Sequence, residues 1–169
     1  PHDAQIYEPR SASSSDGGHG YFPGGIYTYE KNFIPPTEWK GQKLLIEFEG
    51  VYKNCTISLN GKEIGSHRYG YTGFTLPLEQ LNYGEKNTIT VIADNSQLPN
   101  SRWYTGSGIY RPVWLYVGAE ERVEYRGVKI TTVSINPAVI HVDVNATAEA
   151  KVEILDKETV VASGRSGNI

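Results

Sequence analysis

The sequence contains no methionine and only one cysteine among its 169 residues. A single cysteine excludes an internal disulfide framework and a cysteine-rich zinc site. No run of 18 consecutive apolar residues is present, so the sequence predicts no membrane-spanning helix. The net charge of −3 also argues against the strongly basic surface with which proteins bind nucleic acids or anionic membranes.

The sequence has few of the residue patterns that catalysis uses. Its four histidines are scattered without metal-ligand spacing, and no glycine pair follows a strand and opens a helix as a phosphate-binding loop does. Cys55 lies among alternating apolar residues, which favours a buried structural thiol over a nucleophile. Glu47 and Glu49 alternate along one strand, and we interpret them as a solvated face rather than an acid/base pair. No catalytic residue, metal or cofactor is predicted.

Aromatic residues are abundant but unevenly distributed. All but one of the 12 Tyr, 3 Trp and 4 Phe lie before residue 122, and only Tyr125 follows. A composition change of this size predicts a domain boundary near residues 120–126. The sequence also begins with Pro1 and lacks methionine, so we expect it to be part of a longer chain whose localisation, periplasmic, secreted or cytoplasmic, stays open.

Residues 1–25 are irregular, with a Ser/Gly-rich loop at 11–20, and alternation of apolar and polar residues with a period of two then predicts strands. It occurs at residues 43–49, 54–59, 87–93 and 109–117. Asn60-Gly61 supplies the two positive φ angles of a type I′ turn and predicts a hairpin. No segment has a helical period, so we predict an all-β jelly-roll sandwich over residues 1–121.

Residues 122–169 also alternate, at 128–132, 138–144 and 152–154, with turn signals at Asn136-Pro137 and Asp156-Lys157. Short strands with few aromatic residues favour an immunoglobulin-like sandwich. Such a domain needs about 100 residues. We therefore expect residues 122–169 to be the start of a truncated immunoglobulin-like domain.

Two segments outside the strands carry candidate binding residues. The polar loop at residues 95–108 places Arg102, Trp103 and Tyr104 in a row, and an arginine beside aromatic rings suits a sugar. The alternative is that Trp103 closes the end of the sandwich while Arg102 ties the loop to a neighbouring domain. Asp3, before the irregular first segment, is likewise either a ligand contact or a turn cap.

Four stretches resemble the N-terminal sugar-binding domain of glycoside hydrolase family 2, the family of β-galactosidases, β-glucuronidases and β-mannosidases. They are PHD at 1–3, GYFPGGIYTYEKNF at 20–33, FEGVYKNCTISLNGKEIGSHRYGYTGF at 48–74 and DNSQLPNSRWYTGSGIYRPVWL at 94–115. The resemblance implies a galactose-binding-like jelly roll, then an immunoglobulin-like sandwich, then a catalytic (β/α)8 barrel. The two catalytic glutamates of such retaining enzymes belong to the barrel. We therefore expect no activity from this chain alone.

The resemblance also implies site residues. Asp3 matches the position that contacts hydroxyls of the terminal sugar, and the loop with Ser101, Arg102 and Trp103 faces the same mouth. The expected partners are a terminal β-linked sugar, galactose first, and the downstream barrel of the same polypeptide. A β-glucuronidase or β-mannosidase parent is the alternative within the family.

Two further function classes stay open beside a glycosidase. A free-standing carbohydrate-binding module would use an exposed aromatic platform, for which Trp39, Tyr69 and Tyr71 are candidates. A purely structural β-domain would make no sugar contact at all.

Overall fold

The computed structural model describes residues 24–97, 105–165 and 167–168. The chain divides into two compact units, Pro1–Val117 and Gly118–Ile169. Within the described residues, regular structure consists of β-strands apart from one 3-10 turn at Thr37–Trp39. The prediction of an all-β fold is therefore confirmed.

The first unit is built from two antiparallel sheets and a short strand pair. The four-stranded sheet has the order β1-β7-β4-β5, the three-stranded sheet has the order β6-β2-β9, and β3 pairs with β8. The strands are β1 (Ile26–Phe33), β2 (Lys43–Phe48), β3 (Val51–Tyr52), β4 (Cys55–Leu59), β5 (Lys62–His67), β6 (Phe74–Pro77), β7 (Asn87–Asp94), β8 (Gly108–Ile109) and β9 (Val113–Gly118).

One hydrophobic core joins the inner faces of these sheets. Because side chains alternate across a strand, every second residue of β2, β4 and β7 points inward. Ile57 is fully buried, Phe48 is 2% exposed, and the Phe48 ring stacks on Phe74 with centroids 5.2 Å apart. The alternating apolar residues predicted from sequence in these strands are all buried: Leu44, Ile46, Phe48, Cys55, Ile57, Leu59, Ile89, Val91 and Ala93.

The predicted hairpin is present between β4 and β5. Leu59 pairs with Lys62, which leaves Asn60 and Gly61 as the two loop residues. Their φ angles are +51° and +80°, the positive values that a type I′ turn requires. The Asn60 side chain also accepts a hydrogen bond from the backbone N–H of Thr88 at 2.9 Å, which ties the turn to β7.

Alanine at position 61 is expected to destabilise the first unit by about 1–2 kcal/mol, the cost of a left-handed conformation for a residue with a Cβ. Among the described atoms, none lies within 4 Å of where that Cβ would stand, so the cost would be conformational. Urea unfolding measures it. Gly25→Ala is the matched control because its Cβ would make only an ordinary 3.5 Å contact with Tyr27. Equal stability of the Gly61→Ala and Gly25→Ala variants would contradict the assignment of a type I′ turn to Asn60-Gly61.

The prediction of a single strand at residues 109–117 is wrong in one respect. The structure divides it into β8 and β9, separated by Tyr110, Arg111 and Pro112. Pro112 has no backbone N–H to donate to a ladder, which favours an interruption there. Between the two strands, the Tyr110 hydroxyl donates a hydrogen bond to the Gly70 carbonyl at 2.7 Å.

The second unit contains two hairpins. β10 pairs antiparallel with β11, and β12 pairs antiparallel with β13, while the two-residue β14 adds to β11. The predicted turn signal Asn136-Pro137 is confirmed, since it joins the first pair; in the second pair Asp156 ends β12 and the turn is formed by Lys157 and Glu158. The strands are β10 (Val123–Ile135), β11 (Ala138–Ala146), β12 (Val152–Asp156), β13 (Thr159–Gly164) and β14 (Gly167–Asn168).

Many apolar side chains of the second unit are exposed. Val142 is buried at 2% exposure, whereas Ile130 is 65% and Ile135 is 87% exposed. A truncated immunoglobulin-like domain stays a prediction for this unit. Across the described part of the chain, no helix is long and apolar enough to cross a membrane.

Candidate functional site

The loop that follows β7 leaves the sheet through a local hydrogen-bonded turn. Asp94 ends the strand, and its Oδ1 accepts hydrogen bonds from the Ser96 hydroxyl at 2.6 Å and the Ser96 backbone N–H at 2.9 Å. These two bonds, the hydroxyl first, lower the pKa of Asp94 because they favour the carboxylate form. The side chain therefore fixes the first turn of the loop.

Buried polar side chains connect the two ends of this loop. Asn95 and Ser107 are fully buried, and Thr105 is 3% exposed. The Asn95 side-chain amide donates to the Ser107 hydroxyl at 2.8 Å and to the Gly106 carbonyl at 3.4 Å. Because buried polar groups are costly unless they are hydrogen-bonded, these bonds hold the base of the loop in one arrangement. We call Asn95 and Ser107 the loop anchor.

A close contact with β1 fixes the returning end. Gly108 has φ +86°, and a Cβ there would stand 1.9 Å from the Tyr29 hydroxyl. The same hydroxyl accepts a hydrogen bond from the Ile109 backbone N–H at 3.3 Å. Only glycine satisfies both the backbone conformation and the space at position 108.

An aromatic cluster adjoins the returning end, because β3 places Tyr52 opposite Gly108. Tyr52 makes an edge contact with Tyr71, whose ring in turn lies 5.8 Å from that of Tyr69. Tyr69 is 58% and Tyr71 45% exposed. Gly70 packs so closely on Tyr52 that a Cβ would stand 2.1 Å from the ring. Tyr69 and Tyr71 are thus exposed beside the tightly packed contact between Gly70 and Tyr52.

Of the three residues predicted for an aromatic platform, Trp39 differs from the other two. Trp39 is half-buried and packs against the hydrophobic core of the first unit. Tyr69 and Tyr71 are exposed and touch each other. An aromatic platform in the first unit would therefore consist of the two tyrosines without Trp39.

Residues 19–118 match the family model of the sugar binding domain of glycosyl hydrolases family 2. The chain belongs to this family. The match covers the strands of the first unit, the loop base and the aromatic cluster. It confirms the resemblance that the four sequence stretches carry.

Relatives of this family-2 chain include enzymes of two named specificities. It is 40% identical over 138 residues to the β-galactosidase BoGH2A of Bacteroides ovatus, covering 80% of this chain and 16% of that protein. It is 32% identical over 168 residues to a putative β-glucuronidase of Formosa agariphila, covering 98% of this chain and 16% of that protein. The chain thus spans about a sixth of the length of these relatives.

Solved structures of the family share the fold. A β-glycosidase from Bacteroides vulgatus superposes with a TM-score of 0.76 at 35% identity, over 89% of this chain and 20% of that one. A family-2 member from Bacteroides cellulosilyticus superposes with a TM-score of 0.79 at 29% identity, over 99% of this chain and 24% of that one. The likeness therefore extends beyond the residues that the family model matches.

The predicted sugar contacts of this family-2 chain lie outside the described residues. Asp3 belongs to the segment before residue 24, and Ser101, Arg102 and Trp103 belong to residues 98–104. The structure describes both ends of the loop that carries the last three. Sequence reasoning missed the buried loop anchor of Asn95 and Ser107, two residues that are 12 positions apart in the sequence.

The prediction that Glu47 and Glu49 form a solvated face is wrong for Glu47. Glu47 is only 3% exposed, and its Oε2 accepts a hydrogen bond from the Tyr116 hydroxyl at 2.7 Å. Glu49 Oε1 accepts one from the indole N–H of Trp114 at the same distance. β9 brings these aromatic donors beside β2, which the local alternation of β2 cannot indicate. Each carboxylate therefore has an aromatic side chain as its hydrogen-bond donor, which gives both glutamates a structural role.

The single cysteine is structural, as predicted. Cys55 is 1% exposed, and burial raises the pKa of its thiol to about 11 from a usual value of 9.0. The thiolate that nucleophilic chemistry needs is therefore scarce near neutral pH. In the part of the chain that the structure describes, no group of three or more His, Cys, Asp or Glu side chains could hold a metal ion.

An apolar groove of about 570 Å³ opens between β1 and β9. Its walls are mostly core side chains such as Phe48, Val91 and Val113, and Glu30 and Lys31 are its charged lining residues. Sugar recognition needs several convergent hydrogen-bonding groups to satisfy the hydroxyls. Because the groove walls are mostly apolar, we do not assign a sugar site to them.

Proposed function

We propose that this chain shapes the sugar pocket of a retaining exo-β-glycosidase whose catalytic (β/α)8 barrel lies elsewhere in the same polypeptide. The observation that carries the proposal is the match of residues 19–118 to the sugar binding domain of family 2. The anchored base of the loop supports it, because a binding loop must be held on a rigid scaffold to present side chains reproducibly.

Asp3 and the loop residues Ser101, Arg102 and Trp103 are the proposed sugar contacts. A carboxylate accepts hydrogen bonds from sugar hydroxyls, and a guanidinium donates to hydroxyls or to a carboxylate. An indole ring covers the apolar C–H face of a pyranose. A barrel mouth completed by such groups excludes water, and hydroxyl contacts that strengthen as the ring flattens stabilise the transition state.

A terminal β-galactoside is the proposed substrate, and a β-glucuronide is the second candidate. A 40% identical relative is named a β-galactosidase, which favours the first. Relatives of 32% and 38% identity are named a putative β-glucuronidase and a β-glucuronidase, which favours the second. Arg102 suits both, because it can bind a hydroxyl or the carboxylate of a glucuronide. A β-mannoside is the remaining candidate that the sequence resemblance implies.

The experiment is a panel of aryl β-glycosides offered to the whole glycosidase, with the 169-residue chain alone as the control. We expect the whole protein to turn over the β-galactoside in preference to the β-glucuronide and the β-mannoside. We expect the chain alone to release no aglycone, because the proposed catalytic glutamates belong to the barrel. Turnover by the chain alone, or none by the whole protein on any substrate, would refute the proposal.

A non-catalytic carbohydrate-binding module is the competing function, and the exposed pair Tyr69 and Tyr71 favours it. Such a module would bind saccharide as an isolated chain. Saccharide binding by the 169-residue chain that Tyr69→Ala and Tyr71→Ala abolish, together with no turnover by the whole protein, would assign this function instead.

A further inference from the structure

We propose that one extended β-strand fills the apolar groove between β1 and β9 in the whole glycosidase. The strand comes from a part of the same polypeptide outside these 169 residues, and it adds to the free edge of β9. Both walls of the groove belong to described strands of the first unit. This proposal goes beyond the proposed function and shares with it only the longer polypeptide.

The two sheets of the first unit differ by one strand. They meet at one end of the sandwich, where the His67 ring of β5 stacks on Phe74 of β6 with centroids 4.5 Å apart. At the same end, a Cβ on Gly65 would stand 2.5 Å from the Leu76 side chain. Counted from this closed end, β1 is the fourth strand of its sheet and β9 is only the third of the other. Within the described residues, no strand therefore lies beside β9 and opposite β1.

The inner face of β9 has an apolar side chain that the described core does not cover. Val113 and Val117 pack against the core, and Leu115 lies between them on the same face because side chains alternate along a strand. Leu115 is nevertheless 40% exposed and lines the groove. The inward-facing Ile46 and Phe48 of the neighbouring β2 are only 5% and 2% exposed. A further strand beside β9 would remove Leu115 from water.

The backbone of β9 favours a strand over a small apolar ligand as the occupant. On the side away from β2, no described strand pairs with its N–H and C=O groups, and these groups need hydrogen bonds once apolar side chains cover them. β9 also contains no charged residue, which is a usual protection of a free edge against pairing. β1 has that protection, because Lys31 lies between the inward-facing Tyr29 and Phe33 and lines the groove. The added strand therefore pairs with β9 rather than with β1.

The size of the groove indicates where the strand comes from. About 570 Å³ accommodates the side chains of one extended segment, whereas the edge of a second folded copy would bring its whole sheet with it. The chain spans 16% of the length of two of its relatives, so a long polypeptide outside these residues can supply the segment. Its alternate side chains must be apolar, because they face Phe48, Val91 and Leu115.

Photo-cross-linking identifies the occupant directly. The whole glycosidase is prepared with photoreactive benzoylphenylalanine in place of Leu115, and mass spectrometry identifies the cross-linked peptide. We expect one segment of the same polypeptide, outside these 169 residues and with alternating apolar residues. Benzoylphenylalanine in place of Ile34 is the control, because Ile34 is 65% exposed and does not line the groove, and it should not capture that segment. Capture of a second copy, of these 169 residues or of no segment from position 115 would overturn the proposal.

Hydrogen exchange of the whole glycosidase, resolved to single amides, gives a second reading without the photoreactive group. We expect every amide of β9 to be protected, because strands would pair with it on both sides. Leu115→Lys should accelerate exchange in β9 by about tenfold or more, since the added strand would bury the new charge. Ile34→Lys should change it by less than about twofold, because position 34 is open to solvent. Rapid exchange at alternate amides of unsubstituted β9, or equal effects of the two variants, would contradict the added strand.

Neither measurement depends on turnover, so the outcomes for the added strand and for the proposed function are separate. A glycosidase that cleaves its substrate but gives no cross-link from position 115 would retain the proposed function and lose the added strand. A protein that gives the expected cross-link but cleaves no β-glycoside would retain the added strand and lose the proposed function.

Discussion

Gly108→Ala is expected to destabilise the first unit by about 3–5 kcal/mol, from a left-handed backbone cost of about 1–2 kcal/mol and a packing cost of about 1–3 kcal/mol. The φ angle of +86° disfavours any side chain, and the new Cβ would overlap the Tyr29 hydroxyl. Tyr29 cannot withdraw freely, because its hydroxyl accepts the Ile109 N–H and its ring packs against the core. Urea or thermal unfolding of the chain measures the loss.

Gly41→Ala is the matched control for this prediction. Gly41 has a nearly identical φ of +88°, but among the described atoms none lies within 4 Å of its Cβ position. It should therefore lose only the backbone component of about 1–2 kcal/mol. Tyr29→Phe should restore part of the stability of Gly108→Ala because it removes the overlapping oxygen. Equal losses for the two glycine variants would contradict the proposed packing at the loop base.

Asp3→Ala is expected to lower kcat/KM of the whole glycosidase by about 10- to 100-fold, the equivalent of about 1.5–3 kcal/mol for one hydrogen bond to a charged group. The proposed contact is made between the Asp3 carboxylate and sugar hydroxyls. Asp3→Asn should retain more activity than Asp3→Ala, because an amide oxygen still accepts a hydrogen bond from a hydroxyl. Steady-state kinetics with the preferred aryl β-glycoside measures both.

Asp156→Ala is the control, because it removes an exposed carboxylate from the last residue of β12 in the second unit. It should leave kcat/KM unchanged. The cap interpretation of Asp3 makes a different prediction, in which Asp3→Ala lowers the thermal midpoint but not kcat/KM. That result would remove Asp3 from the sugar site.

Local patterns in the sequence predict the interior of the first unit well. The alternation in β4 and β7 identifies the buried face, because a strand has a side-chain period of two. Asn60-Gly61 identifies the hairpin, because few residue pairs adopt two consecutive positive φ angles. Both features depend on residues that are close in sequence, and both are present in the structure.

Features that depend on contacts between distant residues could not be predicted in the same way. Glu47 is buried beside Tyr116, 69 residues away, and Gly108 is held by Tyr29. Such pairs are set by sheet order and register, which alternation within one strand does not encode. The loop anchor of Asn95 and Ser107 belongs to the same class. For that reason the composition of the loop indicated a candidate binding segment, but the contact that joins its two ends could not be predicted.

The most direct test of the central claim is a crystal structure of the whole glycosidase with its monosaccharide product bound. We expect the Asp3 carboxylate, and the side chain of Arg102 or Trp103, to contact the terminal sugar, with polar contacts at about 3 Å. We also expect Asn95 and Ser107 to keep their hydrogen bond beneath the loop. A sugar bound entirely by the barrel, with no residue of this chain in contact with it, would contradict the account.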